Sequence, residues 1–534
     1  MYVEPQSNIR LLKGVPLDAT YEHTIYFNNA VDQMNYFANK TKHTFSSVTY
    51  NRVNKGIARL QIGADDVYDC NYMMFQNIGF GNKWFYAFIN KIEYINNITC
   101  EIYFEIDVMQ TWFFDYTLGM NFVEREHSAT DVIGDNLLPE PVDLGEYVYN
   151  DGYITGLELN NVLGPMSLVV ATSAEPITPE PPSTEMVRPV EGKVYNGSYS
   201  GLKFYRFDVN SPVPDDKASA ISSANRFFTD MTSRNASESI VACFMYPQTF
   251  FNEDETPLSK ELNITPNMTT VGGYTPRNKK LFTFPYKALN VTIGAQSNIY
   301  KYEYFIRHNN KIKFMMKTQL SCAPQIGVFP VSYKAYGWDV HPEIVDDINT
   351  DDGLIINEFP QCAYAIDGYR AWLSQNIFSV SSKVTNTAIG VGSSLISGNP
   401  LSAGVTGATG MTSFISDLAT ASMLPPLANG NSRGDIFFAN NNMNFNFTDR
   451  TITSQFAQRI DDFFDKYGYC ASKLKVPNRN VRPHWCYTKT NKCVLEANSM
   501  PADDERKICS IYDNGITFWK NGDEVGNYSL DNSV

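Results

Sequence analysis

Residues 83–114 read KWFYAFINKIEYINNITCEIYFEIDVMQTWFF, and this stretch indicates a β-rich fold. Aromatic and β-branched residues, which favour strands, dominate both of its halves. The turn residues Asn96 and Asn97 separate the halves. The pattern therefore predicts a long β-hairpin whose strands occupy residues 83–95 and 98–114. The sequence on the N-terminal side of this hairpin is also predicted to be mostly strands.

The middle of the chain is predicted to hold an insert and then to return to strands. A Pro-rich connection at residues 175–189 marks a boundary. Around it, residues 131–280 combine strand patterns with one helical pattern at 219–233, which is typical of an α+β insert. Alternating strands resume over residues 281–336. The predicted fold class is mainly β with an α+β insert.

The C-terminal region is predicted to hold one helix and two hairpins. Apolar residues recur there every three to four positions, which places them on one face of a helix, and Gly468 follows at a position that favours helix termination. The face consists of Phe456, Ile460, Phe463, Phe464 and Tyr467. Asp461 and Asp462 are predicted on the polar face of this helix. The pairs Asn514-Gly515 and Asn521-Gly522 predict two β-hairpins after it.

The composition is that of a folded, acidic chain. Of 534 residues, 43% are hydrophobic and 13% aromatic, which argues against disorder. The formal net charge is −14. Tight binding to nucleic acid depends on Lys and Arg that neutralise phosphates, so the chain does not resemble a stable DNA-binding protein. An acidic wall is still compatible with DNA that passes without being held.

The cysteine pattern and the N-terminus predict synthesis in a reducing cytoplasm. Nine cysteines are scattered along the chain without a CxxC motif, which predicts reduced thiols. The N-terminal residues show no basic region followed by an apolar one, so a secretory signal is not expected.

The motifs predict neither an enzyme nor a cofactor or metal site. Nucleophile-elbow, zinc-protease, P-loop and dinucleotide-binding patterns do not occur. Four residues take positions of an EF-hand calcium loop, namely Asp347, Asn349, Asp351 and Glu358. However, Asp352 stands where the loop requires Gly, so an acidic surface loop is favoured. The spacing of the C-terminal Cys and His residues does not fit zinc; these residues are Cys470, His484, Cys486, Cys493 and Cys509.

Residues 384–432, here named the apolar segment, contain Asp417 as their single ionisable residue. Gly, Ala, Ser and Thr dominate, with isolated large apolar residues between them. Three interpretations remain open. A flexible linker rarely carries so many apolar residues, and a single membrane-spanning helix needs about 20 uninterrupted apolar residues. The third is a segment kept dry inside an oligomer and later released into a bilayer, where Gly and Ala allow close helix contacts.

Several strings resemble the tail knob, or distal tail tube, proteins of short-tailed phi29-like phages of Gram-positive bacteria. The N-terminal strings are MFQNIGFGNKWFYAF (74–88), YFEIDVMQTWFF (103–114) and VEREH (123–127). The C-terminal strings are FFDKYGY (463–469), KVPN (475–478) and IYDNGITFWKNGDEVGNYSLDN (511–532). The resemblance covers both ends of the chain, and residues 131–280 show none.

The resemblance implies a structural protein of the virion, assembled as a homohexameric ring of β-rich tube domains through which genomic double-stranded DNA passes. It implies further partners: an upstream tail or lower collar protein, a cell-wall-degrading tail-tip protein and the host cytoplasmic membrane. By position, the apolar segment would plug the lumen and then leave it to help breach that membrane. The expected plug residues are Ile389, Leu395, Ile396, Met411, Phe414, Ile415, Asp417, Leu418, Met423 and Leu424.

The expected domain limits follow from these assignments. They are 1–130 and 281–383 for the two tube domains, 131–280 for the insert, 384–432 for the apolar segment and 433–534 for the region that completes the tube. A receptor-binding or adhesion protein that recognises host cell-wall carbohydrate is the alternative function. Protonation of Asp417 is a hypothesis for easier membrane insertion at low pH.

Overall fold

A computed structural model gives the fold of the chain. The structure describes residues 6–48, 56–150, 166–174, 188–194, 198–208, 213–216, 218–220, 223, 227, 231, 236, 239–247, 250, 259–293, 296–305, 311–321, 324–334, 348, 350–356, 359, 361–362, 445–497 and 499–534.

The described residues form many strands and fewer helices. In chain order the strands are β1 Ser7–Lys13, β2 His23–Ile25, β3 Thr41–Val48, β4 Ile57–Leu60, β5 Cys70–Gln76, β6 Phe85–Asn96, β7 Thr99–Ile106, β8 Tyr116–Leu118, β9 Asn121–Glu126, β10 Tyr147–Tyr149, β11 Met166–Thr172, β12 Arg188–Val194, β13 Ser198–Phe207, β14 Ile240–Pro247, β15 Ser259–Ile264, β16 Lys287–Ile293, β17 Gln296–Tyr300, β18 Ile312–Gln319, β19 Gln325–Pro330, β20 Leu354–Ile356, β21 Gln361–Cys362, β22 Phe445–Ile452, β23 Tyr469–Lys475, β24 Trp485–Asn491, β25 Leu495–Ala497 and β26 Ile516–Trp519. The helices are α1 Ala30–Asn39, α2 Ala64–Val67, α3 Val108–Thr111, α4 Ser454–Tyr467 and α5 Ala502–Asn514.

The chain divides into two compact units, each built from separated stretches. Unit 1 consists of Met1–Gly145, Gly273–Leu281 and Thr453–Val534. Unit 2 consists of Glu146–Gly272 and Phe282–Ile452. The chain therefore leaves unit 1 twice and returns to it twice. The functional domain limits expected from the sequence stay a prediction.

Unit 1 contains a six-stranded sheet, a five-stranded sheet and a two-stranded sheet. The strand orders are β3-β1-β5-β6-β7-β4, β2-β26-β24-β9-β23 and β25-β8. A hydrophobic cluster joins strands of the first sheet to α1 and α5. In this cluster Phe37 of α1 stacks on Tyr72 of β5, with ring centroids 5.2 Å apart. Aromatic pairs of this kind add to the free energy gained from burial.

The hairpin predicted from residues 83–114 is confirmed as β6 and β7, which pair antiparallel. The second strand is shorter than predicted, because it ends at Ile106. The next residue, Asp107, accepts hydrogen bonds from the backbone N–H groups of Met109 (3.0 Å) and Gln110 (3.1 Å). A carboxylate in this position caps a helix, so the chain turns into α3 instead of continuing the strand.

The C-terminal helix is confirmed, and the two hairpins are wrong. Helix α4 ends at Tyr467 and Gly468 follows as its cap, as the apolar periodicity predicted. Asn514 is instead the last residue of α5, and Gly515 caps that helix with a φ of 93°. Asn521 accepts a hydrogen bond from the backbone N–H of Asp523 and begins a short 3₁₀ helix. At Asn514-Gly515 the positive φ that such a pair favours is used by the helix end, which needs it as much as a hairpin does.

The described residues of unit 2 form three antiparallel sheets. Their strand orders are β10-β22-β16-β17, β12-β13-β11-β14-β21 and β15-β18-β19-β20. The region predicted as strands, residues 281–336, contains β16 to β19, but β17 ends at Tyr300 and residues Tyr302–Tyr304, which were predicted to continue the strand, form a 3₁₀ helix. Strands β17 and β18 belong to different sheets. The turn between them, and most of the helix predicted at 219–233, lie outside the described residues. The mainly β fold class is confirmed.

Candidate functional site: a buried polar network in unit 1

A network of buried charged and polar groups joins the three stretches of unit 1. Helix α4 and strand β23 contribute one side, and the residues around β9 contribute a second. The third side is the short stretch Gly273–Leu281, which lies between the two long excursions of the chain into unit 2. Because all three stretches are distant in sequence, side chains rather than local turns must hold them together.

Asp461 of α4 is the centre of this network and is fully buried. Its carboxylate accepts hydrogen bonds from the Tyr274 hydroxyl (3.0 Å) and from the backbone N–H of Arg277 (2.9 Å). It also accepts two from Asn278, through the backbone N–H (3.0 Å) and the side-chain amide (2.9 Å). The prediction that Asp461 lies on the polar face is wrong, because the stretch Gly273–Leu281 covers this face and supplies these donors.

Arg277 extends the contact along α4. Its guanidinium forms ion pairs with Asp462 (2.6 Å) and Asp465 (3.1 Å) and lies 3.5 Å from Asp461. Asp462 is exposed, as predicted for the polar face, whereas Asp465 is buried. Burial raises the pKa of Asp465 to about 6, although the charge of Arg277 acts in the opposite direction. One arginine thus contacts three carboxylates on successive turns of one helix.

Asp131 forms a second contact of the same kind. Its carboxylate accepts hydrogen bonds from the backbone N–H of Lys279 (2.8 Å) and the hydroxyl of Tyr469 (2.7 Å). Burial, with the nearby Asp131 charge, raises the pKa of Tyr469 well above its usual range. The Tyr469 hydroxyl therefore stays protonated and acts as a donor. This contact links one residue from each of the three stretches.

Glu140 forms the third contact. Its fully buried carboxylate pairs with the ammonium group of Lys280 and with the guanidinium of Arg125. It also accepts the backbone N–H of Cys470 (2.9 Å). Burial lowers the pKa of Lys280, and the pairing with Glu140 opposes this shift. A buried carboxylate that lacked these partners would be strongly destabilising.

His127 is enclosed between β24 and the end of α4. Its Nδ1 accepts the backbone N–H of Tyr487 (2.7 Å), and its Nε2 lies 3.0 Å from the carbonyl oxygen of Asp465. An acceptor at Nδ1 and a donor at Nε2 define one neutral tautomer. Burial, assisted by the charge of Arg482, lowers the pKa of His127 to about 3. The imidazole is therefore neutral at physiological pH and serves as a fixed hydrogen-bonding element.

The network links distant stretches of the chain through hydrogen bonds and ion pairs. The carboxylates of Asp131, Glu140 and Asp461 are each filled by donors from other stretches of the chain. Within the ranges that the structure describes, no group of three His, Cys, Asp or Glu side chains is arranged to hold a metal ion. The network fixes the path of the chain through unit 1.

Sequence reasoning missed these residues because their partners are distant in sequence. The ten residues expected to form the plug, from Ile389 to Leu424, all lie outside the described residues. Of the thiols weighed for zinc, Cys486 is buried and its pKa is raised to about 12 by that burial. His484 instead contacts Glu524, with 2.9 Å between Nδ1 and the carboxylate.

Two further sequence features have partial structural counterparts. From the EF-hand-like stretch, Asp352 pairs with Lys334 (2.7 Å), while Asp347, Asn349 and Glu358 lie outside the described residues. Of the helices that the structure describes, none combines the length and apolar character needed to cross a bilayer.

Two family models match the chain at its two ends. Residues 5–117 match the N-terminus of caudoviral major tail proteins, and residues 249–533 match the C-terminal domain of the tail knob protein gp9 of Bacillus phage phi29. The second match covers more than half of the chain. The chain is therefore a structural protein of a phage tail. It belongs to the family of phi29-type tail knob proteins, and the resemblance found in its sequence is confirmed.

Known relatives match over almost the whole chain. The tail knob protein gp9 of Bacillus phage PZA is 27% identical, and those of phages B103 and phi29 are each 26% identical. Each alignment covers 99% of this chain and 98% of the relative. The solved structure of the tail knob protein gp12 of bacteriophage C1 has the same fold, with a TM-score of 0.62, 14% identity and 99% coverage of both chains. As a tail knob protein, the chain is a component of the virion.

Proposed function

We propose that six copies of the chain form a closed ring at the distal end of the tail, and that the phage genome leaves through its lumen. The observation that carries this proposal is the match to the tail knob family over residues 249–533. The match of residues 5–117 to tail protein N-termini supports a tube wall built from unit 1 strands. The proposed role is structural and not catalytic, and the paired carboxylates of unit 1 are consistent with it.

The net charge of −14 suits a conduit for DNA. Phosphates are held by lysine and arginine, and an acidic lumen would repel the duplex instead of retaining it. The proposed partners are other copies of the chain, an upstream tail or lower collar protein, a cell-wall-degrading tail-tip protein and the DNA in transit.

The apolar segment would close the lumen before ejection. The nearest described strands on its two sides are β21, which ends at Cys362, and β22, which begins at Phe445. Six copies of a nearly charge-free segment on one axis would bury one another's apolar side chains. Released toward the host cytoplasmic membrane, the same residues would help to breach it, since they carry little charge that would oppose insertion.

Electron microscopy of the purified protein tests the ring. We expect six-fold particles with a central opening; a population of single chains would overturn the proposal. Deletion of residues 388–427 tests the plug separately. We expect the truncated protein to keep its ring and to lose the ability to release dye from liposomes. Leakage equal to that of the intact protein would refute the membrane role alone.

Host cell walls provide the test against an adhesion protein. Intact protein that binds isolated walls with high affinity, but shows no ring, would favour the receptor-binding alternative. A ring without wall binding supports the conduit.

A further inference from the structure

The thiol groups of Cys493 and Cys509 lie in contact with each other in unit 1. The Cys493 thiol donates a hydrogen bond to the sulfur of Cys509. Both side chains are half-buried and pack against the hydrophobic cluster of unit 1. Neither residue belongs to the buried polar network described above, so that network does not account for their contact.

Hydrogen bonds of the backbone place Cys493 beside helix α5 independently of the thiol contact. The backbone N–H of Cys493 donates to the carboxylate of Asp513 on α5 (3.0 Å). The hydroxyl of Thr490 on β24 donates to the same carboxylate oxygen (2.8 Å). Cys509 precedes Asp513 by four residues on α5, so their side chains lie on the same face of the helix. The face that binds the Cys493 backbone is therefore the face that carries the Cys509 thiol.

The connection that contains Cys493 is also fixed on its other side. The backbone N–H of the next residue, Val494, donates to the side-chain oxygen of Asn121 on β9 (2.6 Å). The carbonyl of Val494 accepts a hydrogen bond from the amide of the same side chain (3.1 Å). Cys493 is thus held between α5 and β9, and its sulfur stays next to that of Cys509 while these contacts last.

We propose that Cys493 and Cys509 are the site of a disulfide cross-link that forms after the virion leaves the host cytoplasm. Thiols stay reduced in a cytoplasm, whereas disulfides persist outside the cell. Two thiols in contact, on backbone positions that are fixed relative to each other, are the arrangement that a disulfide requires. This inference goes beyond the proposed conduit and does not depend on the ring.

The oxidant in the proposed reaction is a small-molecule disulfide. The Cys509 thiolate attacks one sulfur of that molecule, forms a mixed disulfide and releases the other half as a thiolate. The Cys493 thiolate then attacks the sulfur of Cys509 and releases the second half. The protein loses two protons and two electrons, and the small disulfide takes up both to become two thiols.

Burial makes this reaction slow at neutral pH. Burial, with the negative charge that Cys509 carries as a thiolate, raises the pKa of Cys493 to about 12. Burial also raises the pKa of Cys509, while the hydrogen bond from Cys493 opposes this shift. Cys509 is therefore the first of the two to react. Because the thiolate is the attacking form, both thiols stay reduced while the chain is made and assembled.

A metal ion held by the two thiols is the competing interpretation. Structural zinc takes four protein ligands. Among the residues that the structure describes, no group of three His, Cys, Asp or Glu side chains is placed to hold a metal ion, and Cys493 and Cys509 are no exception. A disulfide needs the two sulfur atoms alone.

Peptide mapping of the full-length wild-type protein tests the cross-link. The protein is incubated with oxidised glutathione, its remaining thiols are blocked with iodoacetamide in urea, and it is digested with trypsin without reduction. Cleavage after Lys492, Arg506, Lys507 and Lys520 places the two cysteines on separate peptides, 493–506 and 508–520. We expect these peptides to be joined, and the buried Cys486 to be recovered alkylated. Unjoined peptides that carry acetamide or glutathione would overturn the inference.

Thermal denaturation of variants measures what the cross-link does. Oxidised wild type should have a Tm about 3–8 °C above that of the reduced protein, because a link across roughly 16 residues restricts the unfolded chain. Cys509→Ser should lose this rise. The matched control is Cys470→Ser, which removes another half-buried thiol, one that contacts the Ser472 hydroxyl (3.3 Å), and it should keep the rise. An equal rise in Cys509→Ser would refute a stabilising cross-link at this site.

Two further outcomes separate this inference from the alternatives. If the reduced wild type binds Zn²⁺ in native mass spectrometry, Cys509→Ser does not, and oxidised glutathione joins no peptides, the pair holds a metal ion and the inference is wrong. If the cross-link forms in a protein that assembles no ring, the proposed conduit fails and this inference stands.

Discussion

The carboxylate of Asp461 accepts two hydrogen bonds from Asn278, one from the backbone N–H (3.0 Å) and one from the side-chain amide (2.9 Å). The two residues are 183 positions apart in sequence. This contact attaches the stretch Gly273–Leu281 to helix α4, so its loss should destabilise unit 1.

The substitution Asp461→Ala should destabilise unit 1 by roughly 3–5 kcal/mol, because it leaves the backbone N–H groups of Arg277 and Asn278 and the Asn278 amide without their acceptor. Urea denaturation followed by tryptophan fluorescence measures the loss. The control is Asp462→Ala, which removes an exposed partner of the same arginine and should cost less than about 1 kcal/mol. Equal losses for the two variants would contradict the central role of Asp461.

Gly468→Ala should be strongly destabilising. Gly468 has a φ of 65°, and an added Cβ would lie 2.2 Å from the carbonyl oxygen of Glu126. Strain and the backbone clash together should cost about 3–5 kcal/mol. Gly81 has nearly the same φ with no atom near its Cβ position, so Gly81→Ala should cost only about 1–2 kcal/mol. Thermal denaturation of both variants distinguishes the clash from the strain.

The variant Asp107→Asn should change how stability depends on pH. Burial raises the pKa of Asp107 to about 6, above the ordinary value of 3.8. The folded state therefore binds a proton more tightly than the unfolded state, and this residue makes the protein more stable as pH falls from 7 to 4. The contribution should reach roughly 3 kcal/mol at most.

Urea denaturation of Asp107→Asn and wild type at pH 8, 6 and 4.5 measures this contribution. Asparagine keeps the acceptor for the N–H groups of Met109 and Gln110. The variant should therefore have a higher free energy of unfolding than wild type at pH 8, and this advantage should disappear at pH 4.5. The exposed Asp65→Asn serves as the control. Parallel curves for Asp107→Asn and wild type would show that the buried carboxyl is not the cause.

His127→Gln should have the opposite pH signature. Because the folded pKa of His127 is about 3, the unfolded chain takes up a proton below pH 6.5 that the folded chain does not. Wild-type stability should therefore fall by roughly 2 kcal/mol between pH 7 and 5 through this residue. The variant leaves the N–H of Tyr487 without an acceptor, so its free energy of unfolding at pH 8 should be about 1–3 kcal/mol lower than that of wild type. The difference between the proteins should shrink at pH 5; a constant difference would exclude a neutral, buried imidazole.

Asp417→Asn tests the proposed membrane role of the apolar segment. If protonation of this single carboxyl eases insertion, wild-type protein should release dye from liposomes faster at pH 5 than at pH 7.5. The variant should release dye rapidly at both pH values. Asp462→Asn, which alters an exposed carboxyl in unit 1, provides the control. Unchanged pH dependence in Asp417→Asn would remove Asp417 from the mechanism.

Local patterns predicted the elements that local forces specify. The apolar repeat from Phe456 to Tyr467 gave α4 to its last residue, and the strand-forming runs on both sides of Asn96 gave the β6–β7 hairpin. The hairpin predicted at Asn514-Gly515 is wrong because a positive φ suits a helix end as well as a hairpin turn. In each case the residues adopt the backbone conformation that they favour, and the tertiary structure determines which element that conformation belongs to.

The polar network could not be predicted, because its partners meet only after folding. Asp461 and Asp462 are chemically identical neighbours, yet one is buried and the other is exposed. The difference arises from Tyr274, Arg277 and Asn278, which no local pattern connects to helix α4. The resemblance to tail knob proteins, in contrast, depends on short sequence strings at both ends of the chain, so the sequence alone is enough to show it.

Strand β26 pairs in parallel with β2, and His23 and Trp519 on these strands are 496 residues apart. A ribosome that adds about 5–20 residues per second needs about half a minute to a minute and a half to make the stretch between them. During that time both long excursions of the chain into unit 2 are already available for folding, while unit 1 still lacks a strand from the interior of a sheet. A product of interrupted translation would expose the unpaired edges of β2 and β24, which mark it for aggregation or proteolysis. This sheet of unit 1 therefore cannot be completed until both of these distant strands have been synthesised.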